Sequence, residues 1–355
     1  MESGTVEQKT IRIADREIGV DSPPLIIAEL SANHLGNIER ALRSIEVAAE
    51  CGADSVKFQT YTADTITIDC DNEFFQIADG PWKGQTLHAL YKSAYTPYEW
   101  HEQLFAKARE LGLIPLSTPF DQTAVDLLHS LDAPAYKIAS FEIVDLPLIA
   151  SVAKLGRPMI ISTGMANLGD IQDAVTTARD NGCDDLVLLH CTSGYPTPFS
   201  DANLRTLPHL AEAFDVIGGL SDHTSGTASA VAAIALGARV IEKHFTLSRD
   251  DGGPDAAFSL EPDELKRLVD DCRSAFEALG KVNYNLLGSE AGNVAFRRSL
   301  FAVKDVKAGE KLTADNVRSI RPGNGLPPKE LPNVIGRKAS RDLKRGEPLT
   351  WDSMT

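Results

Sequence analysis

The stretch Ile217-Gly218-Gly219-Leu220-Ser221-Asp222-His223, followed a helix's length later by Val240-Ile241-Glu242-Lys243-His244, decides the fold. Each is a short apolar run that ends abruptly in groups able to do chemistry. A strand buried on both faces of a parallel sheet reads this way. Six earlier runs have the same form. Ile26-Ile27-Ala28 ends in Glu29, Ser55-Val56 in Lys57 and Gln59, and Ile114-Pro115-Leu116 in Ser117-Thr118. Ala135-Tyr136 leads to Lys137 and Ser140, Ile160-Ile161 to Ser162-Thr163, and Leu186 through Leu189 to His190. Helix-length stretches separate the runs. Eight strand–helix units predict an α/β chain folded as a (β/α)₈ TIM barrel, with its catalytic groups at the C-terminal ends of the strands.

The segments between the runs carry helix signals. Asn37 or Ser44 lies near the start of an Ala-, Ile- and Val-rich stretch that stops at Cys51-Gly52. Thr96-Pro97 opens another that stops at Leu111-Gly112. Asp121 caps a third, and Glu261-Pro262-Asp263 starts the last. Before the barrel, IRIADREIGV (11–20) alternates as a small hairpin. The expected domains are residues 1–283 for the barrel with this lead-in, 284–296 for a linker, and 297–355 for a compact β-rich module. The module carries an internal echo: VKAGEKLTADNV (306–317) matches LKRGEPLTWDSM (343–354) at an offset of 37 residues. Gly309 and Gly346 fit turns, and the Leu-Thr after each fits a short strand. Gly323-Asn324-Gly325 and Pro327-Pro328 form a tight loop between the halves, with Arg321 just before it.

The 355-residue chain has a net charge of −15, which argues against non-specific nucleic-acid binding. From Arg297 to Thr355 there are 13 Lys and Arg against 7 Asp and Glu, a net +6, leaving −21 on the rest. A basic module beside an acidic barrel suits either an anionic substrate or plain complementarity. Five scattered cysteines without CxxC spacing read as reduced thiols, and Cys191 at a strand end reads as packing beside the site. The polar start MESGTVEQKT lacks a signal-peptide core, and the apolar stretch Ala228–Ala238 is too short to span a bilayer. A cytoplasmic protein is expected.

His223 and His244 end neighbouring strands, so their imidazoles are expected to share one metal. With Glu29 or water they form a mixed nitrogen and oxygen site with open positions, suited to Mn²⁺, Mg²⁺ or Co²⁺. Lys57 and Lys137, among Ser140, Ser162 and Ser221, suit a phosphate or carboxylate. A Schiff-base lysine of a barrel aldolase is the competing reading. Glu29, Glu142, Asp222, Glu242 and Asp255 lie at the same face, where a carboxylate beside a metal can activate water. Asp222 is placed to orient the His223 ring, and Asp255 sits in a glycine-rich loop that lets it reach a substrate hydroxyl. The long connection from Tyr61 to Ala94, at the catalytic face, is of the kind that covers or selects a substrate, and of its Phe74, Phe75, Trp82 and Tyr91 most are expected to form a packed cap.

The stretches IIAELSANHLG (26–36), SVKFQTY (55–61), LSTPF (116–120), AYKIASFE (135–142), IISTGM (160–165), LLHCTSGYPTP (188–198), GLSDHT (219–224), ARVIEKHFT (238–246), GGPD (252–255) and SIRPGNG (319–325) together resemble the sialic-acid synthase family, in order and over nearly the whole chain. The C-terminal module resembles the SAF domain, related to type III antifreeze proteins. The resemblance implies a domain-swapped homodimer that condenses phosphoenolpyruvate with an N-acetylated amino sugar and releases phosphate. It implies that Lys57, Thr118, Lys137, Ser140, Ser162, Ser193 and Ser221 bind phosphoenolpyruvate and that His223 and His244 hold the metal. It gives Glu29, Gln59, Glu142, Tyr195, Asp255, Phe296 and the partner subunit's Arg321 to the sugar or the attacking water. With the lysines, Glu29 and Glu142 form the catalytic set. Ser193 departs from the Asn usual in this family. The runs AELSANH, KFQTYTADT, ADGPWKGQTLHALYKSAYTPYEWH and GGPDAAFSLEPDE look most like the pseudaminic acid branch, which implies a 2,4-diacetamido-2,4,6-trideoxy-altrose substrate. N-acetylneuraminate or legionaminate synthesis by the same mechanism is the alternative. Ice binding by the module alone needs a flat apolar face, and its 13 basic residues point away from that.

Overall fold

The computed structural model describes residues 9–80 and 82–355 and divides into one compact unit ending at Gly280 and a second from Lys281 to Thr355. The first unit opens with an antiparallel hairpin, β1 (Ile11–Ile13) and β2 (Arg16–Ile18). Eight parallel strands follow: β3 (Leu25–Glu29), β4 (Ser55–Thr60), β5 (Ile114–Pro119), β6 (Tyr136–Ile138), β7 (Met159–Ser162), β8 (Leu186–Cys191), β9 (Ile217–Asp222) and β10 (Val240–His244). They pair in the order β5-β4-β3-β10-β9-β8-β7-β6, and β5 packs against β6 to complete a nearly closed barrel. All eight coincide with the apolar runs, because strands covered by helices outside and side chains inside have no face to spend on polar residues.

Between them run α1 (Ile38–Glu50), α2 (Ala63–Ile66), α3 (Leu87–Ala94), α4 (His101–Glu110), α5 (Gln122–Ser130), α6 (Leu146–Ala153), α7 (Leu168–Asp180), α8 (Thr206–Phe214) and α9 (Ala228–Ala235), and α10 (Pro262–Leu279) closes the unit. Asn37 caps α1 by accepting from the Glu39 and Arg40 amides, and Asp121 caps α5 through Thr123 and Ala124. Both satisfy amides a helix start leaves free. The Tyr61–Ala94 connection holds α2, a turn at Glu73–Phe75 and α3. Its aromatics divide: Phe74 is 80% exposed, whereas Tyr91 meets Tyr61 edge-on. The packed-cap expectation fails for Phe74.

One apolar cluster lies between the strands and the helices. A second fills the N-terminal end of the barrel, where Ile11, Ile13 and Ile18 of the hairpin plug against Leu25, Ile27, Leu116, Val187, Leu189 and Val240. Gly219 on β9 permits this packing. A Cβ there would collide with Leu189 and stand 2.6 Å from the Val240 carbonyl oxygen.

The C-terminal unit has one antiparallel pair, β11 (Ser299–Ala302) with β12 (Val317–Ile320), and a short α11 (Leu331–Val334). The internal echo becomes a reciprocal exchange. Asp342 accepts from the Ala308 amide at 2.9 Å, and Asp305, 37 positions earlier, accepts from the Arg345 amide at 2.8 Å. Val306 and Leu343 bridge where the halves meet. The expected strands at Leu312-Thr313 and Leu349-Thr350 do not form. The chain there makes turns and isolated bridges, such as Lys311 with Lys338 and Phe301 with Pro348. Among the described residues no helix is long and apolar enough to cross a membrane.

Candidate active site

The register of β3 sets Glu29 level with Lys57 on one side and His244 on the other. Alternation along β10 then turns Glu242 and His244 to the barrel axis and Lys243 away from it. Lys57 Nζ rests against the Glu29 carboxylate, donates to Thr118 Oγ1 at 3.2 Å and lies 3.8 Å from Glu242 Oε1. Lys137 Nζ donates to Ser162 Oγ at 2.6 Å and to the Ile138 carbonyl at 3.1 Å, and lies 3.9 Å from the same Glu242 oxygen. Ser221 Oγ donates to that oxygen at 3.2 Å. Two ammonium groups and two carboxylates are thus buried together, among hydroxyls.

Burial pushes the Glu29 carboxyl above the ordinary range, against the pull of Lys57. Glu242 is also penalised by burial, but Lys137 and Lys57 outweigh this and hold it below the ordinary range. Burial and the neighbouring positive charge of Lys57 push Lys137 down, although Glu242 pulls up. Lys57 stays high, because its two carboxylates exceed the burial penalty. Glu142 is pushed up to about 7 by burial, with Lys137 pulling back, and its Oε2 is buried without a partner.

Above this cluster the rings of His223 and His244 stand 5.3 Å apart, with Tyr195 at 4.5 Å from the first and Phe258 at 5.0 Å from the second. His223 Nδ1 lies 3.0 Å from the Thr192 carbonyl and 3.8 Å from Cys191 Sγ. The expected role of Asp222 needs correction: its carboxylate bonds Lys243 and the Thr224 amide, and a carbonyl orients the ring instead. His244 Nδ1 is buried with no partner, and burial with the nearby positive charges drives this imidazole well below its ordinary range, so it is neutral. Among the described residues no set of three or more His, Cys, Asp or Glu converges as a ready metal cage.

On the other side of the mouth, Gln59 Nε2 donates to Glu29 Oε1 at 3.3 Å and Ser31 Oγ at 3.0 Å, and Ser31 Oγ donates to Asp255. Trp82 Nε1 reaches the Pro254 carbonyl at 3.1 Å. Ser140 Oγ accepts from the Gly164 amide at 3.1 Å, and Ser193 Oγ is buried beside it without a partner. A Cβ at Gly164 would collide with Ser193 and stand 2.7 Å from Ser140 Oγ, so any larger residue here would have to displace both hydroxyls. The barrel therefore gathers Glu29, Lys57, Gln59, Thr118, Lys137, Ser140, Glu142, Ser162, Ser193, Tyr195, Ser221, His223, His244 and Asp255 at one end. Phe296 and Arg321 lie on the C-terminal unit, and both are exposed there.

Sequence reasoning named Glu242 only as one of five carboxylates at this face, and the structure puts it between both lysines. Its signal was the i, i+2 spacing from His244, which places both on one face of a strand. Ser31 gave no such signal, because its partners, Gln59 on β4 and Asp255 in the loop after β10, are distant in sequence.

Residues 44–284 match the NeuB family, and residues 297–354 match the SAF domain. A pseudaminic acid synthase of Campylobacter jejuni is 46% identical over 93% of this chain and 96% of its own. An N,N'-diacetyllegionaminic acid synthase of the same species is 40% identical over 91% and 98%. The crystal structure of an N-acetylneuraminic acid synthetase from Leptospira borgpetersenii, in complex with citrate, superposes with a TM-score of 0.71 at 31% identity, covering 81% of this chain and 95% of that one. With matches to both units, and with its charged cluster at the C-terminal ends of the barrel strands, this chain belongs to the NeuB family.

Proposed function

We propose that this chain condenses phosphoenolpyruvate with 2,4-diacetamido-2,4,6-trideoxy-altrose to give pseudaminic acid and inorganic phosphate. The observation that carries this reading is the buried Lys57 and Lys137 pair, ringed by Thr118, Ser140, Ser162 and Ser221, directly below two imidazoles. Two fixed ammonium groups in a water-poor site bind a small, multiply charged anion far better than they would in water. The 46% identity to a pseudaminic acid synthase, against 40% to a legionaminic one, favours the altrose sugar.

The donor set fits a divalent cation. The Thr192 carbonyl lies 3.0 Å from His223 Nδ1, which leaves the ring's Nε2 to face the ion, and His244 is neutral with an unpartnered nitrogen. His223 and His244 would hold the ion, as a Lewis acid for the sugar aldehyde. Lys57 and Lys137 hold the phosphate and carboxylate of phosphoenolpyruvate so that C3 faces the aldehyde carbon, a positioning effect. C3 bonds to that carbon as the C2–C3 double bond opens, and the aldehyde oxygen takes the proton of a neutral Glu29 or Glu142 carboxyl. Water adds at C2 and gives its proton to Glu29 or Glu142, both shifted toward neutrality by burial. The C2–O bond to phosphate then breaks as the C2 hydroxyl passes its proton to the departing phosphate, leaving the keto acid and inorganic phosphate. Glu242 and Glu29 hold Lys57 high, which disfavours it as a Schiff-base amine, whereas Lys137, pushed down by burial, is the lysine that borohydride trapping would test.

A domain-swapped dimer brings Phe296 and the partner subunit's Arg321 to the sugar. The support is the apolar surface after α10, where Val282 and Tyr284 are 89% and 97% exposed. The test is phosphate release from phosphoenolpyruvate with Mn²⁺ and each of three sugars. Release with the altrose sugar alone supports the reading, and bridge-¹⁸O appearing in phosphate supports C–O cleavage. Preference for N-acetylmannosamine or the legionaminic precursor moves the chain to that branch. No release with any sugar, together with borohydride trapping of a keto substrate, replaces it with an aldolase.

A further inference from the structure

Lys243 and Asp222 have no place in that mechanism, yet both side chains are essentially fully buried. They point away from the barrel axis, toward α9 and α10, while Ser221, His223, Glu242 and His244 point into it. Lys243 Nζ donates to Asp222 Oδ2 at 2.6 Å and to the Thr224 carbonyl at 2.5 Å. Asp222 Oδ1 accepts from the Thr224 amide at 2.9 Å and from its hydroxyl at 2.8 Å, and that hydroxyl meets Ser229 of α9 at 2.9 Å. One ammonium, attached to the residue before His244, therefore grips the residues on both sides of His223. The ladder sets Lys243 opposite Asp222, so the grip is in register. Neither charge can leave the other without standing alone in an apolar layer, which makes the arrangement stiff. Apolar packing would hold these strands together equally well, but it would not fix how the 222–224 segment turns.

We infer that the Lys243–Asp222 pair is a positioning device that sets the spacing of His223 and His244, and through it the affinity for the divalent cation. This rests on the two-histidine reading above. The test measures Mn²⁺ dissociation constants of the metal-free full chain from the electron-paramagnetic signal of free Mn²⁺, with the visible spectrum of bound Co²⁺ as a report of geometry. Four proteins are compared: wild type, His244→Ala, Asp222→Asn, and the double variant Lys243→Met with Asp222→Asn. The double variant removes both charges together and leaves no lone buried ion. It is expected to fold with an unchanged or higher Tm, to bind Mn²⁺ about 10- to 100-fold more weakly, and to shift the Co²⁺ bands. Asp222→Asn keeps Lys243 on the Thr224 carbonyl but removes its counter-charge, so it should weaken Mn²⁺ binding and shift the Co²⁺ bands in smaller degree while lowering Tm. It carries the test if the double variant fails to fold. A folded variant with wild-type Mn²⁺ affinity and Co²⁺ spectrum overturns the proposal. If His244→Ala also binds as wild type, the metal reading falls with it; if His244→Ala alone loses the ion, only the positioning role falls.

Discussion

The two ends of the barrel are built from the same strands and share almost no chemistry. On β3, Ile27 belongs to the apolar plug, and Glu29 two residues on belongs to the ionic cluster. On β10 the same step runs from Val240 to Glu242, and on β8 from Leu189 to the reactive end at Cys191. One inward step of a strand, about 7 Å, converts a dry core into a site holding several buried charges. The plug end stabilises and does nothing else. The mouth gathers groups whose burial opposes folding, and it persists because the plug and the outer helix layer offset it.

That division is tested most severely by exchanging one charge at the mouth. Lys137→Met keeps the side-chain volume and should lower kcat/KM by about a thousandfold, while Tm stays close to wild type. Steady-state kinetics beside calorimetry reads both, and a large fall in Tm with activity per folded molecule retained would reverse the roles assigned to the two ends. The mirror experiment is Leu189→Ala in the plug. It should cost about 2–5 kcal/mol in denaturant unfolding and leave kcat/KM of the folded enzyme near wild type.

A finer probe is pH. The Glu142 carboxyl is raised by burial to about 7, so the folded state favours its protonated form. Its contribution to stability is fully present below the unfolded carboxyl's ordinary range and is lost as pH rises through about 7. Glu142→Gln stays neutral throughout. The Tm difference between this variant and wild type should therefore move in the variant's favour from pH 5 to pH 8, and a difference that stays flat or moves the other way would contradict the burial of this group.

Much of this was legible beforehand because parallel strands advertise themselves. Their double burial makes each an unbroken apolar run, and the residue that breaks the run is the one at the mouth. Asp121 and Glu261 were readable as helix starts because capping is local, and the first start lay between Asn37 and Ser44, of which the structure uses Asn37. Partners across loops were not readable. Asp222 sits beside His223 in sequence and bonds Lys243 instead, since alternation turns neighbours to opposite faces. In the C-terminal unit the echo was plain, but its meaning was not. The exchange of Asp305 and Asp342 with amides 40 and 34 residues away needs the folded halves together.

The smallest expected effect lies at the rim, where the contrast between the two ends is set by loops rather than strands. Trp82 comes from the long connection after β4, and its indole N–H holds the Pro254 carbonyl, 172 residues further on. That carbonyl precedes Asp255, whose carboxylate is fixed by Ser31, while Gly252 and Gly253 just before it adopt left-handed backbone at φ 74° and 111°. Two anchors therefore restrain a segment that its glycines leave free to move. Trp82→Phe removes the N–H and keeps an aromatic ring near Tyr195. One neutral hydrogen bond contributes about 1 kcal/mol, so the KM for the sugar should rise about fivefold, with the KM for phosphoenolpyruvate and Tm unchanged. Equal increases in both KM values would mean that the rim supports the whole mouth, and the division would then lie between strands and loops rather than between the two ends of the barrel.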